Sequence, residues 1–356
     1  MGAHRIAVIP GDGVGKEVTA AGLAVLDAVQ GVSPGLALDV ETFPWGSDYY
    51  RAHGRMMPED ALDTLRGFDA LYFGAVGDAE SPDHVTLWGL RLAICQGFDQ
   101  YASVRPARVL AGIDSPLRSA RPGDLDLVIV RENSEGEYAG AGGRVHRGFP
   151  GEVGVETAVF TRAGCERIMR FAFDLARERP RRQLTLVTKS NAQRHGMVLW
   201  DEVFAGFARA NDDVETDRVL VDAATARMVR DPGSFDVLVA TNLHADILSD
   251  LAAALAGGLG LAPSANLNPG RTHPSMFEPV HGSAGDIAGR GIANPVGAIL
   301  SAAMMLDHLG EDEAAKRLDD AVRRVAAAGD ARTPDLGGAA TTATITDAVR
   351  RTLAAG

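Results

Sequence analysis

Apolar positions along the chain keep two rhythms: short continuous or alternating runs, and longer stretches where they recur every three or four residues. Residues 5–9 form an apolar run that stops at Pro10-Gly11, the pattern of a buried strand. Residues 16–29 follow with Val18, Gly22, Val25 and Val29 at helical spacing. Leu36, Leu38 and Val40 alternate with polar neighbours, which predicts a strand. Pro58 opens a predicted helix running to residue 65, 70–76 reads as a strand into a glycine turn, and 87–98 as a helix. Further strands are expected at 126–130, 184–188, 218–221 and 236–240. Helical stretches fall at 162–177, 198–210, 223–229 and 247–255. Strands alternating with helices predict an α/β architecture.

At 356 residues the chain exceeds what one core usually supports, so two domains are expected. No low-complexity linker separates two halves, and the domains are expected to share the chain discontinuously, crossing near Val104 and Gly257. The glycine-rich stretch 140–154, with Phe149-Pro150, reads as a projecting arm. A formal net charge of −12 and no basic stripe argue against a nucleic-acid surface. The apolar stretches are all broken by Gly, Pro or Ser short of a membrane span. Two cysteines, Cys95 and Cys165, exclude a disulfide framework and a thiolate zinc site, and a cytoplasmic location is the expectation.

Candidate chemistry concentrates in a few segments. Asp246 and Asp250 are four apart, so on a helix they stack on one face at about 6 Å and repel unless a cation or proton sits between them. With no Cys or His cluster nearby, Mg2+ or Mn2+ is the natural occupant; helix-terminal charges favoured by the dipole are the competing explanation. Asp222, at a predicted strand end, is a third carboxylate where α/β folds place ligands. Arg105 and Arg131 each close an apolar run and suit bidentate capture of a carboxylate, although a strand-end arginine is often a plain surface charge. Tyr138 and Lys189 are candidate acid and base. Gly11, Gly13 and Gly15 miss the dinucleotide-binding spacing and read as a tight strand-to-helix turn. The small, polar stretch 277–295, with His281, Asp286 and Asn294 spaced along it, reads as a loop and is the better nucleotide candidate.

Seven segments in order resemble the isocitrate/isopropylmalate dehydrogenase family: 9–17, 72–77, 130–133, 188–191, 246–250, 278–284 and 333–338. Leu87-Trp88-Gly89, Phe98-Asp99-Gln100-Tyr101 and the stretch 264–269 point within it to the tartrate/D-malate dehydrogenase (decarboxylating) branch. The resemblance implies an isopropylmalate dehydrogenase-like two-domain α/β fold with a mixed twisted sheet, not a Rossmann fold. A large NAD-binding domain would comprise 1–103 plus 258–356, and a small dimerisation domain 104–257, with an arm around 138–156. It further implies a homodimer with shared active sites. Asp246 and Asp250 would bind Mg2+ or Mn2+ together with Asp222 of the partner subunit. Arg105 and Arg131 would hold substrate carboxylates, and Tyr138 and the partner's Lys189 would move protons. Asn191 would lie near the nicotinamide. His281, Gly282, Ser283, Ala284, Asp286, Ile287 and Asn294 would line the adenosine pocket, and acidic Asp286 beside neutral Ile287 favours NAD over NADP.

The sequence also departs from the family pattern. Cys95 stands where the family carries a substrate arginine, a loss of about 1.5–3 kcal/mol or roughly 10–200-fold in carboxylate affinity if nothing compensates. Arg91 lies one α-helical turn earlier on the same face and is expected to reach the same carboxylate or a different substrate group, with a solvent-facing arginine as the competing explanation. Cys95, at the substrate position, is expected to be a small buried filler and no nucleophile. His244-Ala245 replaces the usual Phe-Gly, Gly285 the usual Pro, and Ser103 the usual Asn. The expected activity is oxidation of a 2-hydroxy acid at C2, with D-malate or tartrate as the default substrate and loss of CO2 where a β-carboxylate is present. The alternatives are a modified hydroxy acid of a specialised pathway, or a non-catalytic regulatory homologue.

Overall fold

The computed structural model describes residues 3–118 and 121–356. Packing divides the chain into two units. Unit 1 comprises Met1–Gln100, Arg105–Leu125 and Ala253–Gly356, and unit 2 comprises Tyr101–Val104 and Asp126–Ala252. The stretch 105–125 thus goes with unit 1, where the sequence placed one crossing near Val104 and kept everything to Gly257 together.

The strands in chain order are β1 (His4–Gly11), β2 (Leu38–Thr42), β3 (Ala70–Ala75), β4 (Ala102–Arg108), β5 (Asp126–Glu132), β6 (Gly136–Val145), β7 (Val153–Val159), β8 (Gln183–Thr188), β9 (Glu215–Leu220), β10 (Val237–Ala240), β11 (Pro263–Leu267) and β12 (Ser275–Pro279). The helices are α1 (Gly15–Val32), α2 (Ser47–His53), α3 (Ala61–Leu65), α4 (Asp83–Thr86), α5 (Leu92–Gly97), α6 (Arg162–Glu178), α7 (Gly196–Ala210), α8 (Val221–Arg230), α9 (Asn242–Leu255), α10 (Val296–His308), α11 (Asp312–Ala328) and α12 (Thr342–Ala354). No described helix is long and apolar enough to cross a membrane.

In unit 1 the strands run β2-β1-β3-β12-β11. β1 pairs in parallel with β2 and β3, and β3 with β12, whereas β11 and β12 are antiparallel, so the sheet is mixed. This order, with β12 in the middle, is not that of the doubly wound dinucleotide fold. β1 and β3 are covered on both faces, which is why they read as continuous apolar runs, whereas the edge strand β2 is largely exposed and alternates. Ile6, Val8, Ala70, Tyr72 and Phe277 face one core with α1, α10, α11 and α12. Ala7, Ile9, Leu71, Phe73 and Met276 face the other, with Trp45, Leu90 and Phe98. The Tyr72 hydroxyl donates to the Ala298 carbonyl at 2.9 Å, and burial raises its pKa. α1 reaches it through Gly22, where a Cβ would overlap the Tyr72 oxygen.

Unit 2 carries the parallel order β5-β10-β8-β9, with β6 and β7 as a separate antiparallel hairpin. The arm expected at 140–154 is the outer part of that hairpin, and every residue of β7 is exposed.

Candidate active site

The centre of unit 2's site is the face of α9. This helix begins at Asn242, five residues before the periodicity suggested, so Asp246 and Asp250 lie well inside it, one turn apart. Arg131, the penultimate residue of β5 and 1% exposed, is held from two sides. Its Nε donates to Asn242 Oδ1 at 2.9 Å, and its Nη1 forms an ion pair with Asp246. Tyr138 on β6 brings its hydroxyl to Asp246 Oδ2 at 3.5 Å, and its ring lies 5.1 Å under the Arg131 guanidinium. The Asp246 carboxylate therefore joins the candidate carboxylate clamp to the candidate proton donor.

Lys189 and Asn191 follow the end of β8, and Asp222 lies in the first turn of α8. The Lys189 ammonium is bonded to Asp222 and holds that exposed carboxyl below its ordinary value. Asp222 is thus spoken for by Lys189 within its own chain. Among the described residues no three His, Cys, Asp or Glu side chains gather as a metal cage. His244, on α9, is 8% exposed, and its Nδ1 has no hydrogen-bond partner. Burial lowers its pKa against the opposing pull of Glu137. Glu137 is itself anchored by Thr241 Oγ1 at 3.1 Å and the Leu243 N–H at 3.2 Å. The donor set on this face is hard carboxylate oxygen, which suits Mg2+ or Mn2+ and not a thiophilic ion.

Unit 1 supplies a loop beyond β12. The Ser283 carbonyl accepts the Val14 N–H at 2.8 Å, and Gly13 (φ +53°) sits so close beneath it that a Cβ would overlap that oxygen. The glycine turn read as a mere connection therefore forms part of this loop's floor. Asp12 locks the turn, accepting from Ser47 N at 2.7 Å, Ser47 Oγ at 2.8 Å and Gly77 N at 3.0 Å. Ala284 holds a positive φ of 40°, a strained value for a residue with a side chain. His281 Nδ1 contacts the Gly282 carbonyl at 2.9 Å, while its Nε2 is buried with no partner. Burial lowers the His281 pKa, so the ring is neutral at pH 7 and has a nitrogen to offer a ligand. Gly282 and Asp286 are exposed, Ile287 half-buried. Asn294 is buried, with Nδ2 donating to Asp335 at 3.1 Å and Oδ1 accepting from Val296 N at 3.1 Å. An unpaired ring nitrogen, an exposed carboxylate and close backbone fit an adenosine.

Arg105 is buried on β4. Arg91 is placed differently from the expectation of a substrate contact, whereas Cys95 is the buried filler expected. The segment Leu87–Arg91 is π-helical, but α5 follows with Arg91 as its α-helical N-cap, so Arg91 and Cys95 stay one turn apart. The Cys95 thiol is 1% exposed within the apolar core beside Phe98 and Met276. Arg91 Nε donates to Glu278 Oε1 at 2.7 Å, and Asn266 Nδ2 donates to the same oxygen at 2.7 Å. Arg91 is thus tied to β12 by a buried ion pair. Sequence reasoning missed Asn242, Glu137, Asp12 and Asp335. Asn242 and Asp335 lie in or beside recognisable motifs, but their polar roles depend on partners more than 40 residues away in the chain.

Comparison with known proteins identifies the family. The profile of the isocitrate/isopropylmalate dehydrogenase family matches residues 5–349. A probable tartrate dehydrogenase/decarboxylase of Agrobacterium vitis is 62% identical over 354 residues, covering 99% of both chains. The D-malate dehydrogenase (decarboxylating) of Escherichia coli is 49% identical, covering 98% of both. The crystal structure of isocitrate dehydrogenase from Methylococcus capsulatus superposes with a TM-score of 0.89 at 38% identity, covering 98% of this chain and 99% of that one. With its mixed sheet, its α9 carboxylates and its loop beyond β12, the chain belongs to the isocitrate/isopropylmalate dehydrogenase family.

Proposed function

We propose that the protein oxidises a four-carbon 2-hydroxy diacid of the D-malate/tartrate type at C2, using NAD and Mg2+ or Mn2+, with loss of CO2 where the substrate carries a β-carboxylate. The observation that carries this is the Asp246 carboxylate, shared by Arg131 and Tyr138 and one turn from Asp250. Asp246 and Asp250, with Asp222 of the partner subunit, would hold the cation, and the loop 281–287 with Asn294 would hold NAD. When bound, these groups supply a Lewis acid for the C2 oxygen and an acceptor for the C2 hydride.

The chain's own residues do the rest. Arg105 and Arg131 hold the substrate carboxylates as charge-assisted pairs. Lys189 of the partner subunit takes the C2 hydroxyl proton as hydride leaves. Tyr138, its hydroxyl already aimed at the Asp246 carboxylate, protonates C3 after CO2 departs. The anchoring of Arg91 by Glu278 and the burial of Cys95 leave the α5 segment without a further carboxylate clamp of the usual kind, which favours a small diacid over a tricarboxylate. A homodimer explains the exposed Ile247 on α9 and Val155 on β7, and it releases Asp222 and Lys189 to complete a neighbour's site.

NADH formation is measured with D-malate, the tartrate isomers and isocitrate, with Mn2+ or a chelator. Turnover of D-malate or a tartrate, abolished by chelation, is expected; turnover of isocitrate alone, or indifference to the chelator, overturns the reading. Mixing two inactive proteins, Lys189→Ala and Asp250→Asn, tests the shared site. Random re-pairing restores about a quarter of wild-type activity, because half the dimers are mixed and each has one intact site. No recovery on mixing would show that each chain works alone.

A further inference from the structure

β1, β3 and β12 all run in the same direction, and the nucleotide loop and glycine turn lie beyond their far ends. At their starting ends, where His4 opens β1 and Pro274 precedes β12, unit 1 has a polar cavity of about 360 Å³. Its wall is basic: Arg66, Arg271, His273 and His308 face it, against the carboxylate of Asp69. Asp69 already accepts the Arg5 N–H at 2.7 Å, and His4 is paired with Glu311 at 2.9 Å. Arg66 meets Asp63 at 3.4 Å across an exposed surface, a pair worth little. The Arg271 guanidinium pairs with no carboxylate among the described residues, and its charge disfavours protonation of His308. Arg271 is held there by a left-handed backbone, φ +51°, closed by its N–H on the Asn268 carbonyl at 2.9 Å. Two rings are oriented by aromatic neighbours: His273 stacks on Phe98 at 5.5 Å, and His308 lies 5.4 Å from Phe277.

We infer that this cavity binds a small multivalent oxyanion, with Arg271 and Arg66 supplying charge and His273 and His308 supplying ring N–H donors. Arg66 is shared with Asp63, but Arg271, with no carboxylate partner among the described residues, presents positive charge that a multivalent anion compensates well. Phosphate-bearing and polycarboxylate molecules share this chemistry, and the cavity is far larger than a single chloride needs. One strand length, about 20–26 Å, separates the cavity from the nucleotide loop, so the two sites are distinct.

Isothermal titration at constant ionic strength with pyrophosphate and with citrate tests the site on the full-length protein. Saturable binding of pyrophosphate alone assigns a phosphate ligand, and of citrate alone a polycarboxylate. Arg271→Gly removes the guanidinium while a glycine accepts φ +51° without strain, so weakening by at least tenfold is expected with hydroxy-acid turnover unchanged. Arg66→Gln, a surface change, is expected to weaken binding several-fold and serves if the first variant fails to fold. Anions bound at Arg105 and Arg131 would survive both substitutions. Binding that neither substitution weakens, or no saturable binding of either probe, overturns the site.

Discussion

At the scale of single residues, Asp246 does most to define the site, because three groups depend on its carboxylate: the Arg131 guanidinium, the Tyr138 hydroxyl and, through the α9 turn, Asp250. Asp246→Asn keeps the shape and removes the charge. Turnover is expected to fall by on the order of 100-fold or more, as for a lost metal ligand. The Arg131 side chain, 2% exposed, keeps Asn242 and the Tyr138 ring, and the partly exposed carboxylate limits the stability cost to about 1–3 kcal/mol. Steady-state kinetics at saturating Mn2+ and thermal melts measure the two effects separately. Arg131 stood out in the sequence by residue type at a strand end and Asp246 by its helical spacing from Asp250, whereas Tyr138 stood out only through the family resemblance. The bond between Arg131 and Asn242 was not legible, since it joins residues 111 apart. Arg91 shows the limit from the other side: its helical spacing from Cys95 holds, but the Glu278 carboxylate that ties it down lies 187 residues away.

At the scale of elements, the tightest constraint is where α1 meets β3. A methyl group at Gly22 would overlap the Tyr72 oxygen, which is held by the Ala298 carbonyl of α10. Gly22→Ala is expected to cost about 1–3 kcal/mol, and the double variant with Tyr72→Phe less than the sum of the two single changes. Denaturant melts of the four proteins check this. The end of α10 makes a pH-dependent contribution. Burial, aided by the Arg271 charge, pushes His308 down to about 4 from 6.5. Between those values the unfolded chain takes up a proton that the folded one refuses, so stability falls as pH drops through that window. His308→Gln is expected to flatten the slope between pH 6.5 and 4 in melts. β1 and β3 were legible because strands covered on both faces are apolar throughout. β11 and β12 were not, because Ser264, Asn266 and Glu278 are polar residues buried for their hydrogen bonds, which reads as a loop. The sequence pattern also left α10, α11 and α12 unmarked; α10, buried along most of its length, lacks the polar stripe that reveals a helix.

At the scale of the whole molecule, the β6–β7 hairpin presents Val145, Phe149 and Val155, with Phe149 70% exposed. Phe149→Asp is expected to shift the protein toward monomer in sedimentation and to lower turnover in parallel; an unchanged dimer would place the interface elsewhere. The glycines of this segment made its projection legible, but a single chain carries no signal for what it meets. The route of the chain has a consequence for synthesis. Residues 126–252 form nearly all of unit 2 and emerge from the ribosome in one piece, able to condense at once. β1 and β3 emerge earlier, yet the strand that pairs beside β3 is 275–279, and α10, α11 and α12, which with the early α1 bury one of their faces, come later still. At about 5–20 residues per second, two strands apolar on both sides wait on the order of 10–40 s for their neighbour. A nascent chain of this design depends on chaperone shelter for its first hundred residues far more than for its middle.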